Sequence, residues 1–67
     1  MSKISIVTPT YNESENIENL CSEIKLEMEK LNIDYEHIVI DNSSTDKTIE
    51  ILKEICLRDK KVKVIIN

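Results

Sequence analysis

Glycine is absent from this 67-residue chain, and proline occurs once. The missing glycine excludes two common ways of holding a phosphate. A dinucleotide fingerprint and a P-loop both need glycine where backbone approaches the anion. Any nucleotide bound here must be held through its base and ribose, or its phosphates must be handled by residues elsewhere. Tryptophan and phenylalanine are also missing, leaving Tyr11 and Tyr35 as the aromatic residues, too few for a platform that stacks single-stranded nucleic acid. Positive charge is scarce as well. Nine basic against thirteen acidic residues give a net charge of −4, whereas a nucleic-acid partner calls for a basic patch. No apolar run approaches the roughly 18 residues of a membrane span, and there is no signal-peptide h-region. The two cysteines, Cys21 and Cys56, have neither metal spacing nor a secretory context. They fit a reducing compartment and read as small buried hydrophobes. The expected location is the cytoplasm.

What is present alternates in period. Ile4-Ser5-Ile6-Val7 is rich in β-branched residues and is closed by Pro9, so it reads as a first strand. Asn12 offers a helix N-cap, with Glu15 completing a capping box. Ile17, Leu20, Cys21, Ile24, Met28 and Leu31 then fall on one helical stripe, with Leu26 opposite. Asn32 is the expected helix stop, because asparagine tolerates the left-handed conformation. Tyr35 to Asp41 contains a second strand, and Ser43-Ser44-Thr45-Asp46 supply turn and capping groups for a second helix. That helix has its stripe at Ile51, Leu52, Ile55 and Cys56, and Val62 to Ile66 reads as a third strand. His37, at the head of the second strand, is expected at the surface.

The order β-α-β-α-β has crossovers long enough for parallel pairing. The expectation is an α/β fold, a three-layer-type parallel sheet segment with strand order 3-2-1. Right-handed crossovers then place both helices on one face. The other face would carry isoleucine and valine without cover, although strands apolar on both sides expect cover on both. The chain is thus expected to be the front portion of a larger domain, or to associate.

The chemistry sits where strands end. In open parallel sheets, ligands bind at the carboxyl edge. The first loop there holds Tyr11, a ring with a polar tip that either stacks on a base or packs locally. It also holds Glu13, which either accepts from a ribose hydroxyl or complements the helix dipole. The second loop opens with Asp41, which helix capping alone does not require, and Asn42, which can both donate and accept.

These two segments, Ile6-Val7-Thr8-Pro9-Thr10-Tyr11-Asn12-Glu13 and Ile38-Val39-Ile40-Asp41-Asn42-Ser43-Ser44-Thr45-Asp46-Lys47-Thr48, resemble the opening of a family 2 glycosyltransferase. The resemblance covers essentially the whole chain, but only the first quarter to third of such a catalytic domain. It implies a GT-A fold, of which residues 1–67 would be the N-terminal nucleotide-binding portion, and transfer of a sugar from a nucleotide diphosphate donor, most commonly a UDP-sugar. It implies that Pro9, Tyr11 and Glu13 cradle the base and ribose, and that Asp41 and Asn42 approach the base. The usual form is Asp-Asp-Gly-Ser, where this chain has Asp41-Asn42-Ser43-Ser44. Asn42 would then accept from the base through its amide oxygen, without the charge, and Ser43 asks whether the turn needs a positive φ.

The resemblance further implies a divalent cation, magnesium or manganese, held by a later Asp-x-Asp motif, and a later carboxylate acting as base. No catalytic or metal-binding residue is assigned within these residues, and the segment alone is expected not to turn over. The whole protein would be cytoplasmic or peripheral to the inner face of the membrane. Two other readings compete. One is a non-catalytic or degenerate module that self-associates through the exposed sheet face, as a homo-oligomer, and binds nucleotide weakly or not at all. The other, a signalling receiver domain, expects an acidic pair after the first strand, where this chain has Asn12-Glu13.

Overall fold

Five elements alternate along the chain in a computed structural model that describes residues 3–67. They are β1 (Ile4–Thr10), α1 (Ile17–Lys30), β2 (Tyr35–Asp41), α2 (Thr48–Arg58) and β3 (Val62–Ile66). All pairing is parallel, with Ile6 opposite His37, Thr8 opposite Val39 and Thr10 opposite Asp41. On the other side of β2, His37 faces Val62, Val39 faces Val64 and Asp41 faces Ile66.

The expected three-layer-type segment with order 3-2-1 is corrected by this topology. The sheet runs β1-β2-β3, because each crossover steps to the neighbouring strand and the order follows the chain. Handedness determines which face the helices cover; the order is set by which strands pair, β2 bonding to both β1 and β3. The described residues also form two layers, since both helices pack on one face. Ile17 and Cys21 of α1, Leu52 and Ile55 of α2, and Val39 and Val62 of the sheet make one buried cluster. Ile17, Val39 and Leu52 are fully buried, each contributing about 1.5–3 kcal/mol relative to an exposed side chain. On the opposite face Val7 and Ile65 are 56% and 51% exposed, beside the half-buried Ile38 and Ile40.

Three local expectations change. β1 continues through Pro9 to Thr10. The Ile4 N–H donates to the Asp34 carbonyl at 3.0 Å, and the Thr10 carbonyl accepts from the Asn42 N–H at 2.9 Å. The even-numbered residues of β1 therefore face β2, and Pro9 falls in the alternate set, where its missing N–H breaks no ladder bond. Asn12 does not cap α1, which begins only at Ile17. The intervening turn is closed instead by the N–H groups of Asn16 and Ile17 on the Glu13 carbonyl, at 2.9 and 2.8 Å. His37 is not at the surface: it is 1% exposed, because its place in β2 points it to the helix side, between Ile6 and Val62. Its Nε2 pairs with the Thr8 hydroxyl at 2.9 Å, while Nδ1 has no partner.

The end of α1 follows the sequence reading. Asn32 adopts φ 55, and the Ile33 N–H donates to the Met28 carbonyl at 3.0 Å, a left-handed helix stop. Leu26 is exposed, as its place opposite the stripe requires, and Leu31 is exposed as well.

Candidate functional site

The strand ends of β1 and β2 bring the two polar loops to the same edge of the sheet. Asp41, the last residue of β2, is 0% exposed. Its Oδ1 accepts from the Thr10 hydroxyl at 3.1 Å and from the Ser44 hydroxyl, and its Oδ2 accepts from the Ser44 N–H at 2.8 Å. Burial alone would raise its pKa, but the Ser44 hydroxyl and N–H and the Thr10 hydroxyl outweigh it and hold the carboxyl below its ordinary value. The carboxylate is thereby committed to shaping the loop. Thr10 on β1 and Ser44 beyond β2 are joined through it.

Asn12 makes the second connection. It sits at φ 51, which asparagine adopts more readily than most residues. Its N–H donates to the Ser44 hydroxyl at 2.9 Å. Its Oδ1 accepts from the N–H groups of Thr45 and Asp46 at 2.8 and 3.3 Å, so it satisfies donors ahead of α2 rather than at the head of α1. Asp46 returns the link, accepting from the Ser14 N–H at 3.3 Å. Asp46 also accepts from the hydroxyl and N–H of Thr48. With the Thr48 hydroxyl as the main cause, its pKa is lowered to about 2.

Pro9, Tyr11 and Glu13 are exposed on the β1 side of this platform, and Asn42 is exposed on the β2 side. Tyr11 is 55% exposed, which leaves its ring free of the core. Pro9, Thr10, Glu13 and Asn16 line a hollow of about 280 Å³. Asn42 is fixed from two sides. Its N–H donates to the Thr10 carbonyl at 2.9 Å, and its Oδ1 accepts from the Asn67 side-chain Nδ2 at 3.0 Å. Ser43 adopts φ 58, so the turn does take the conformation in which glycine is unstrained.

Four of the residues that build this site serve purposes the sequence reading did not give them. The sequence offers Asn12 as a cap of α1, and Ser44 and Thr45 as capping groups of α2, yet together they join the loops. Asn67 lies outside both motifs. Asparagine next to a strand end, facing a run of hydroxyl residues some 30 positions on, is the pattern that carries this signal.

A second hollow, of about 210 Å³, lies between the helices and includes Cys21, Ser22, Ile55 and Arg58. Burial first, with Cys56 and nearby carboxylates assisting, pushes the Cys21 thiol up to about 11. It is therefore a protonated packing group rather than a nucleophile. Among the described residues no cluster of three His, Cys, Asp or Glu side chains converges to hold a metal ion. No helix among them is long and apolar enough to cross a membrane.

Residues 5–67 match the family model described as Glycosyl transferase family 2. Over 53 residues the chain is 45% identical to a dolichol-phosphate mannosyltransferase of Pyrococcus furiosus, covering 79% of this chain and 14% of that protein. It is 39% identical over 61 residues to an uncharacterized glycosyltransferase of Bacillus subtilis, YkcC, covering 91% and 19%. It is 40% identical over 50 residues to an undecaprenyl-phosphate 4-deoxy-4-formamido-L-arabinose transferase of Photorhabdus laumondii, covering 75% and 15%. The chain thus spans between about a seventh and a fifth of these relatives' lengths.

Proposed function

The chain belongs to glycosyl transferase family 2, and from that we propose that it supplies the base- and ribose-binding half of a nucleotide-sugar donor site. The observation that carries the reading is the interlocked pair of loops at the carboxyl edge. Asn12 and Asp41 hold them together, while Tyr11, Glu13 and Asn42 remain exposed. Tyr11 offers its ring face to the base. Glu13 is exposed and offers its oxygens to ribose hydroxyls. Pro9 walls the hollow beneath, Asn42 meets the base edge, and Asp41 positions the loop from behind.

In the whole protein the reaction is displacement at the anomeric carbon. An acceptor oxygen forms the new bond as the bond to the diphosphate breaks, and the nucleoside diphosphate leaves with the electron pair. A magnesium or manganese ion would offset the charge of that diphosphate. The described residues do not fit such an ion, and none of the steps assigned to this chain passes through it. Two of the relatives are named for dolichol-phosphate and undecaprenyl-phosphate. A polyprenyl phosphate is accordingly the acceptor class we infer, which would set the reaction at a membrane surface.

Titration of uridine, cytidine, guanosine and adenosine diphosphates against the protein, followed by amide chemical shifts, tests the donor half. Shifts confined to Tyr11, Glu13, Asp41 and Asn42 are expected with at least one of them. No response to any of the four at millimolar ligand would remove the reading. A second reading, self-association through the uncovered sheet face, is favoured by the exposure of Val7 and Ile65. It does not compete for the loop residues.

A further inference from the structure

We propose that Asn67 sets the polarity of the base subsite: it holds the Asn42 side-chain oxygen and so turns the Asn42 amide nitrogen outward, to donate to the nucleobase. This rests on the donor-site reading above and specifies which base edge that site accepts.

The argument begins with the backbone. Asn67 lies just beyond β3, and its N–H donates to the Asp41 carbonyl at 2.9 Å. This carries the β2–β3 ladder one residue past its end, to the level of Asn42. The Ser43 hydroxyl donates to the Asn67 carbonyl, a second tie between the same segments. With both backbones fixed, the Asn67 Nδ2 reaches the Asn42 Oδ1 at 3.0 Å. A primary amide carries its oxygen and its NH2 group in one plane, on opposite sides of the Cβ–Cγ axis. Once the oxygen faces Asn67, the NH2 group is what Asn42 presents to the open loop. Both asparagines are exposed, so a ligand can reach the pair.

A carboxylate at position 42 would be an acceptor only, matched to a ring N–H such as those of uracil and guanine. The amide held by Asn67 has the opposite polarity. It matches a base that presents an acceptor, as the ring nitrogens of cytosine and adenine do, and it leaves a ring N–H without a partner. Leaving a polar group unpaired in an interface costs more than a made hydrogen bond returns, so the orientation of one amide decides between bases of the same size.

The experiment compares nucleoside diphosphates that differ chiefly in this edge: UDP with CDP, and GDP with ADP. Binding is measured by calorimetry for the parent protein and for Asn67→Asp and Asn67→Ala. In Asn67→Asp the residue at 67 can only accept, so Asn42 must reverse and present its oxygen. The CDP-to-UDP or ADP-to-GDP ratio of dissociation constants is then expected to rise about tenfold, toward the base with the ring N–H. Repulsion of the diphosphate by the new charge weakens both members of a pair alike and cancels in the ratio. Asn67→Ala frees the amide to rotate, and a smaller shift in the same direction is expected. A ratio within about twofold of the parent in both variants, or a shift toward CDP or ADP, would overturn the inference and leave the donor-site reading standing. Failure of the parent to bind any of the four would overturn the donor-site reading, and the inference with it.

Discussion

The Asn12 side-chain oxygen and the Thr45 N–H are 2.8 Å apart, and through this bond the loop after β1 is held against the loop after β2. Asn12 stands at φ 51, so its backbone and its side chain both contribute to the loop. The two contributions can be separated. Asn12→Gly keeps the conformation and deletes the tether, and is expected to cost about 1 kcal/mol. Asn12→Ala deletes the tether and leaves in the left-handed region a residue that tolerates it less than asparagine or glycine, adding about 1 kcal/mol more. Denaturant unfolding of the two variants checks the difference, and equal losses would mean that the backbone conformation is unstrained.

Asp41 links acid sensitivity to the same loops. Its folded pKa lies below the ordinary carboxylate value, so the unfolded chain takes up a proton that the folded carboxylate refuses. Its contribution is full above the unfolded value and is lost as pH falls through that value toward the lower folded one. Asp41→Asn puts an amide NH2 among donors from Thr10 and Ser44. The variant is expected to lose about 2 kcal/mol at pH 7. That gap should narrow as pH falls below 4, measured as unfolding free energy from pH 7 to 3.

His37 titrates in a higher window. Burial lowers its pKa from 6.5, although Asp59 pulls the other way. The folded protein therefore keeps the imidazole neutral where the unfolded chain protonates it. Stability is complete above pH 6.5 and declines below it, down to the folded pKa. His37→Gln removes the titration and keeps a group able to bond the Thr8 hydroxyl. Melting curves between pH 7.5 and 5.5 should slope downward with acid for the parent and be flatter for the variant. Parallel slopes would place the acid response elsewhere.

Ser43 carries a conformational cost that can be relieved. Its φ of 58 suits glycine, while its hydroxyl holds the Asn67 carbonyl, so Ser43→Gly is expected to stay within about 1 kcal/mol of the parent, the relief offsetting the lost bond, and Ser43→Val to destabilise it by more than that. Thermal unfolding of both variants tests the ranking.

The uncovered sheet face gives a prediction about association. Lysine at two of its exposed apolar positions, in the double variant Val7→Lys with Ile65→Lys, should abolish concentration-dependent self-association in sedimentation velocity and leave the circular dichroism spectrum unchanged. A parent protein that is monomeric at high concentration would remove self-association as the role of this face.

Much of the architecture was legible because it depends on local periodicity. The stripe from Ile17 to Met28 and the apolar runs at residues 38–40 and 62–66 specify helices and strands whatever surrounds them. Asn32 announced the end of α1 for an equally local reason. Pro9 misled, because whether a proline ends a strand depends on which way its missing N–H would point, and that depends on the strand being an edge. His37 misled for a similar reason: polarity suggested the surface, but alternation along β2 placed it on the covered face with Thr8 as its partner.

The residue pattern therefore sufficed for the elements, their alternation, the parallel crossovers and the two loop motifs by which the family is recognised. These are properties of neighbours in the chain. What the folded chain alone decided is how polar side chains some 30 positions apart pair at the sheet edge. Asn12 bonds beyond β2, Asp41 turns inward to Thr10, and Asn67 orients Asn42. Each of these groups had a plausible local partner in the sequence. The register of the parallel strands brought a distant partner within hydrogen-bonding distance, and those long-range bonds are the ones that shape the site.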